Sequence, residues 1–287
     1  MSIPVVLDFD RSVGALPDAW VIDLARWQEA IRFGCSLRRF RQLRDFIAGA
    51  LPAMHGTVFL GSGDYHHLSW PLIERKAQQG PFDVVVFDNH PDNMRFPFGI
   101  HCGSWVRRVA LLPFVAHVHV LGISSGDVAS AHAWENYLTP LYRGKLSYWT
   151  VGVDTRWAAR LGLTAAFRSF DTPAALLDRF AEEHSASTQP VYLSIDKDVL
   201  SADIARTNWD QGRLTDTDLL RAVDLLRGRL IGSDITGDVS VYRYRTGWKR
   251  VLSALDAQPD IDAAQLAQWQ QQQHALNLRL LERIAVA

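Results

Sequence analysis

Short runs of consecutive apolar, often β-branched residues recur along the chain, separated by stretches with helical periodicity. VVLDF (5–9), TVFLG (57–61), DVVVFD (83–88), HVHVLGI (117–123), LSYWTVG (146–152), AAFRSF (165–170), VYLSID (191–196) and LIGSDI (230–235) are the strand candidates. Several are continuously apolar. A strand with one wet face alternates, whereas a strand covered on both faces does not. Continuous runs therefore demand layers above and below the sheet. The helical stretches supply them at 36–51, 103–112, 129–142, 173–184 and 216–228. In the first, Ser36 is the expected N-cap, and Leu37, Phe40, Leu43, Phe46 and Ile47 form one apolar stripe. In the last, Thr215 and Asp218 have capping-box spacing, with Asp in place of Glu. The alternation predicts a three-layer α/β/α sandwich around a mostly parallel, doubly wound sheet of about eight strands.

No linker or internal repeat divides the 287 residues, so one domain is expected across 1–287. A helix is expected at about 260–286, with a glutamine run at 270–273. Packing on its own domain is favoured over a subunit contact. Composition is that of an ordinary globular protein, 48% hydrophobic and 21% charged. A net charge of −1 gives no bulk field for nucleic acid or an anionic membrane, and neither partner is expected. No run of about 18 apolar residues reads as a membrane span. Cys35 and Cys102 cannot build a disulfide framework. With no secretory signal read at the start, a cytoplasmic protein is expected.

Ligands of an open α/β sheet bind beyond the carboxyl ends of its strands. Four candidate strands run into acids or histidines at that point: Asp64, His66 and His67; Asp88, His90 and Asp92; Asp196 and Asp198; Asp234 and Asp238. Residues i and i+2 of extended backbone point the same way, so Asp88 with His90, and Asp196 with Asp198, reach common sites. Carboxylates gathered without a counter-charge oppose each other's ionisation, and a divalent cation removes the conflict. Oxygen-rich ligation with some imidazole suits manganese better than structural zinc. Lys197 should point to the opposite face from its neighbours. His117 and His119 lack an adjacent acid and take structural or surface roles, and His132 and His184 fall on helices as solvated residues.

GSGDYHH at 61–67, DNHPD at 88–92 and SIDKD at 194–198 together resemble, in their order, the three metal segments of the ureohydrolase superfamily of arginase, agmatinase and formimidoylglutamase, the second and third closely and the first in altered form. The resemblance implies an arginase-like fold and two Mn2+ per chain activating a bridging hydroxide. By motif position the metal ligands are His66, Asp88, His90, Asp92, Asp196 and Asp198, with Asp88 and Asp196 bridging. His66 is taken as the first ligand by allowing one inserted residue at Tyr65. GIHCGSWVRR (99–108) resembles the family's proton-shuttling His segment, which makes His101 and Asp198 the catalytic candidates.

The expected substrate is a small cationic guanidino or amidino compound and the expected state a homo-oligomer. Two segments depart from the pattern. Asn208, Trp209 and Asp210 are foreign to the stretch after the third motif, and Gly237 stands where the family places a guanidinium-binding Glu. Asp238, turned inward by a bulge, is the expected replacement, with Asp210 and Trp209 as another wall of the pocket; Asp234 is then structural or orients metal ligands. Hydrolysis of a different C–N or amide bond is the alternative, and a non-catalytic binding protein ranks third.

Overall fold

The computed structural model describes residues 2–255 and 261–287. Nine strands form one sheet: β1 (Val5–Asp8), β2 (Trp20–Asp23), β3 (Val58–Gly61), β4 (Phe82–Phe87), β5 (Val115–Ile123), β6 (Leu146–Val151), β7 (Phe167–Phe170), β8 (Val191–Asp196) and β9 (Leu230–Thr236). Their order is β2-β1-β3-β9-β8-β4-β5-β6-β7. Every pairing within this sheet is parallel. The strand beyond the expected eight is β2, an edge strand with three of its four residues exposed. Its apolar run, Trp20–Val21–Ile22, is short and mostly exposed.

Period two splits each inner strand between two cores. Val84 and Val86 of β4 face one cluster, while Val85 and Phe87 face the other. The first cluster is closed by α1 (Leu37–Ala50) through Phe40, Leu43 and Ile47. The second is closed by α2 (Pro173–His184), α3 (Asp216–Leu225) and α4 (Ala263–Ala285), through Phe180, Leu219, Leu276 and neighbours. The three layers follow from this division. Ser36 caps α1 by accepting from Arg39 N, and Thr215 with Asp218 completes a capping box on α3.

Two expected helices differ. Residues 129–142 contain a 3-10 turn at Ala133–Glu135 and a four-residue helix at Thr139–Tyr142. Asn136 is buried there and donates to Asp127 O at 2.8 Å, a tie a continuous helix could not make. In 103–112 the helix proper is Val106–Ala110. The first residue of the expected terminal helix, Asp260, lies outside the described residues; its described part, α4, packs on the second core. Among the described residues no helix is long and apolar enough to cross a membrane.

Candidate metal centre and cavity

The four central strands, β3-β9-β8-β4, are neighbours, and their carboxyl ends deliver the acids and imidazoles. His66 Nδ1 lies 3.1 Å from Asp88 Oδ2, 2.9 Å from Asp92 Oδ2 and 3.5 Å from Asp196 Oδ2. His90 Nδ1 lies 3.0 Å from Asp198 Oδ2 and 3.5 Å from Asp88 Oδ1. Two groups with metal-ligand spacing result, His66–Asp88–Asp196 and Asp88–His90–Asp198, and Asp88 belongs to both. His66 Nδ1 and Asp88 Oδ2 are buried, face each other, and have no hydrogen-bond partner. Orphaned buried polar atoms are costly, and a cation between them satisfies both. The donor set therefore fits divalent ions.

Electrostatics leads to the same fit. Burial, reinforced by the Asp88 charge, pushes Asp92 and Asp198 up to about 7. Burial and the Asp198 charge raise Asp196 well above the carboxylate range. Burial also opposes charge on Asp88, but the imidazoles of His66 and His90 outweigh it and hold that carboxyl low. So many acids ionise together only beside a strong positive charge.

An outer ring of bonds aims the ligands. Ser194 Oγ sits 3.0 Å from His66 Nε2 and donates to Asp234 at 2.8 Å, placing Asp234 behind His66. Asp210 Oδ1 sits 2.7 Å from His90 Nε2, which leaves Nδ1 for the centre. Trp105 Nε1 donates to Asp92 Oδ2 at 2.6 Å. Asp92 itself is in the left-handed region at φ 45, where a non-glycine residue is strained.

The remaining residues of the first motif turn away. Tyr65 is buried and stacked on Phe9, with ring centroids 4.3 Å apart. His67 is buried beside Phe40. Asp64 accepts from Arg32 Nε at 2.6 Å and does not line the cavity.

A cavity of about 260 Å³ opens over the centre, lined by His66, Asp88, His90, Asp92, Asp196 and Asp198 on its floor. His101, Trp209, Asp210, Phe33 and Asp127 line it as well. Phe33 lies between His101 and Trp209, with centroids 6.0 and 6.1 Å away, and holds a strained φ of 67. Burial holds His101 down at about 4, and its Nδ1 accepts from Gly103 N at 3.0 Å. Phe33 and Asp127 were not singled out from the sequence. Phe33 follows a short helix and Asp127 sits in a 3-10 turn (Gly126–Val128), neither within a motif, so only the fold shows them facing the site.

Asp238 departs from expectation. It is fully buried, 2.5 Å from Lys197 Nζ and 2.9 Å from Asn277 Nδ2, and is absent from the cavity wall. Lys197 does point away from Asp196 and Asp198, but from the start of a 3-10 turn (Lys197–Val199) just past β8 and not from the strand, and there it pairs with Asp238. Gly237 has φ 92, and a Cβ there would lie 2.5 Å from Asp196 Oδ1. No side chain fits at that position, so the segment 234–238 offers the cavity no carboxylate of the expected kind.

The sequence profile described as the arginase family matches residues 18–237. The chain belongs to the arginase family. It is 31% identical over 215 residues to an uncharacterized protein of Thermotoga maritima, covering 74% of this chain and 71% of that one. Its fold is similar to that of proclavaminate amidino hydrolase from Streptomyces clavuligerus, with TM-score 0.53 and 15% identity over 100% of this chain and 93% of the other. Formimidoylglutamase from Bacillus subtilis is similar at TM-score 0.53 and 15% identity, over 99% and 87%. At such identities these two likenesses concern the fold alone.

Proposed function

We propose that this arginase-family member is a binuclear-manganese hydrolase that cleaves a C–N bond in a small guanidino or amidino compound. The observation that carries the proposal is the pair of histidine–carboxylate groups sharing Asp88 at the floor of the cavity. In this reading His66, Asp88, Asp92 and Asp196 hold one ion, and His90, Asp88, Asp196 and Asp198 the other. When bound, such ions lower the pKa of water and stabilise negative charge developing on the attacking oxygen.

The chain's own residues do the rest. Asp198 takes up the proton of the attacking water at its carboxylate. Asp198 then passes that proton to the leaving amine, while His101, neutral at pH 7 because burial holds it at about 4 and with Nδ1 accepting from Gly103 N, presents its Nε2–H as a hydrogen-bond donor in the cavity. Phe33 and Trp209 present aromatic surface to a delocalised cation. Asp127 and Asp210 supply negative charge around the same cavity.

A second reading, hydrolysis of an amide or other C–N bond in a substrate without a guanidinium, is favoured by Gly237 and by the capture of Asp238 by Lys197. Incubating manganese-loaded protein with guanidino compounds, amidino compounds and simple amides, and measuring urea, ammonia and the released amine, tests both. Urea from a guanidino compound supports the first reading, and ammonia from amides alone replaces it with the second. No turnover by fully metallated protein across the panel leaves only a binding role.

A further inference from the structure

A different group of metal-ligand side chains converges at the other end of the sheet. Asp83 of β4, His119 of β5 and His184, the last residue of α2, each offer one ligand atom, all within 4.8 Å of one another. Five residues of strand separate Asp83 from Asp88, roughly 16 Å at a rise of about 3.3 Å each. The group is therefore distinct from the cavity centre.

Periodicity explains how these residues meet. Asp83 shares a face of β4 with Val85 and Phe87, and His119 shares a face of β5 with Leu121. These apolar neighbours belong to the core under α2–α4. Phe180 of α2 packs into the same core, and His184 follows it one turn later, its ring T-shaped to His119 with centroids 4.7 Å apart. An apolar face is an expensive place for two imidazoles and an acid unless something binds them.

Their polar atoms are incompletely used. His119 is only 7% exposed, and its Nδ1 lies 3.1 Å from Ser147 Oγ, which fixes the ring and leaves Nε2. His184 Nε2 is buried without a hydrogen-bond partner. Asp83 forms no ion pair among the described residues; Arg229 acts on it electrostatically from farther away.

We propose that Asp83, His119 and His184 form a third divalent-metal site, for zinc or another late first-row transition metal, that ties the end of α2 to strands β4 and β5. Two imidazoles with one carboxylate favour zinc or copper over manganese, unlike the oxygen-rich centre at the opposite edge. Three protein ligands leave a fourth tetrahedral position for water. Ser147 acts as the outer partner that sets the His119 ring. The rival arrangement is direct neutralisation of Asp83 by Arg229, whose Nη1 also lacks a partner.

The test is a zinc titration of the full, chelator-stripped chain by calorimetry, in a variant carrying Asp88→Asn and Asp196→Asn. One equivalent should bind and raise Tm. Adding His119→Gln or His184→Gln should weaken that binding on the order of a hundredfold or more. The wild-type chain should in parallel take one more equivalent of zinc than the His184→Gln chain, which covers failure of the double variant to fold. Since His184 is remote from the cavity, His184→Gln should hydrolyse substrate at the wild-type rate. Equal zinc uptake by the wild-type and His184→Gln chains would overturn the site, as would no binding to a folded Asp88→Asn, Asp196→Asn chain.

Discussion

The carboxyl and amino edges of the sheet hold the same kinds of residue to different effect. At the carboxyl edge, four adjacent strands feed histidines and aspartates into a cavity of about 260 Å³. At the amino edge, Asp83, His119 and His184 lie under a helix end, and none of them lines that cavity. Strand ends that open into loops leave space for a substrate, whereas Asp83, His119 and His184 converge beneath the end of α2 with their ligand atoms within 4.8 Å of one another. The difference teaches that residue type selects a ligand chemistry, and position in the sheet decides whether that chemistry can turn over.

The largest expected effect tests the carboxyl edge. Asp88→Asn removes the carboxylate shared by both histidine groups, so metal analysis should fall from about two ions to less than one. Turnover should drop on the order of a thousandfold. Full metal content in this variant would show that Asp88 is not shared.

Asp238→Asn comes next. It leaves Lys197 buried with a neutral partner, so chemical denaturation should show a loss of about 3 kcal/mol. Because Asp238 is sealed behind the cavity wall, KM should not change. A raised KM with unchanged stability would return Asp238 to a substrate-binding role.

Asp210→Ala should weaken manganese binding about 10-fold by removing the acceptor that holds His90 Nε2, read by metal titration. A variant that changes KM alone would make Asp210 a wall of the substrate pocket and not an orienter of His90.

The smallest effect belongs to the amino edge. Burial lowers His117 from 6.5 to about 4. The unfolded chain takes up that proton below about pH 6.5 and the folded chain does not, so stability is lost as pH falls from 6.5 toward 4. In chelator-stripped protein, His117→Gln should reduce the loss between pH 7.5 and pH 5 by about 1–2 kcal/mol, measured by urea unfolding. Parallel curves for the two proteins would mean that His117 is protonated as readily in the fold as outside it.

These two edges also differ in how far they are legible from sequence. Asp88, His90 and Asp92 stand close together after an apolar run, as do Asp196 and Asp198, so their nearness at a strand end groups them, even though β4 ends at Phe87 and Asp198 lies in a 3-10 turn. Asp83, His119 and His184 come from three separated segments with no motif. Only the β4–β5 pairing and the reach of α2 bring them together. His184 was expected to be solvated, because a helix end gives no sign of what it packs against. Asp238 misled for a related reason. Period two indicates that Lys197 points behind the strand, but not that it finds an acid there. That acid is supplied by the turn after β9, where Gly237 passes within 2.5 Å of Asp196 for any added Cβ. Phe33 lies just past a short helix and Asp127 in a three-residue 3-10 turn, segments too short for a period to give side-chain direction.

The tie between Lys197, Asp238 and Asn277 has a consequence for biosynthesis. Asn277 Nδ2 donates to Asp238, and Gln273 Nε2 donates to Gly237 O, so α4 buttresses the turn behind Asp196. A ribosome makes α4 after every ligand of the centre. While α4 is still in the exit tunnel, Lys197 and Asp238 lack their third partner and the turn lacks its brace. The strands can therefore pair before α4 docks, but the turn beside Asp196 is fully braced only once α4 is in place. Any ion held beside that turn would therefore meet a looser Asp196 before α4 docks than after it.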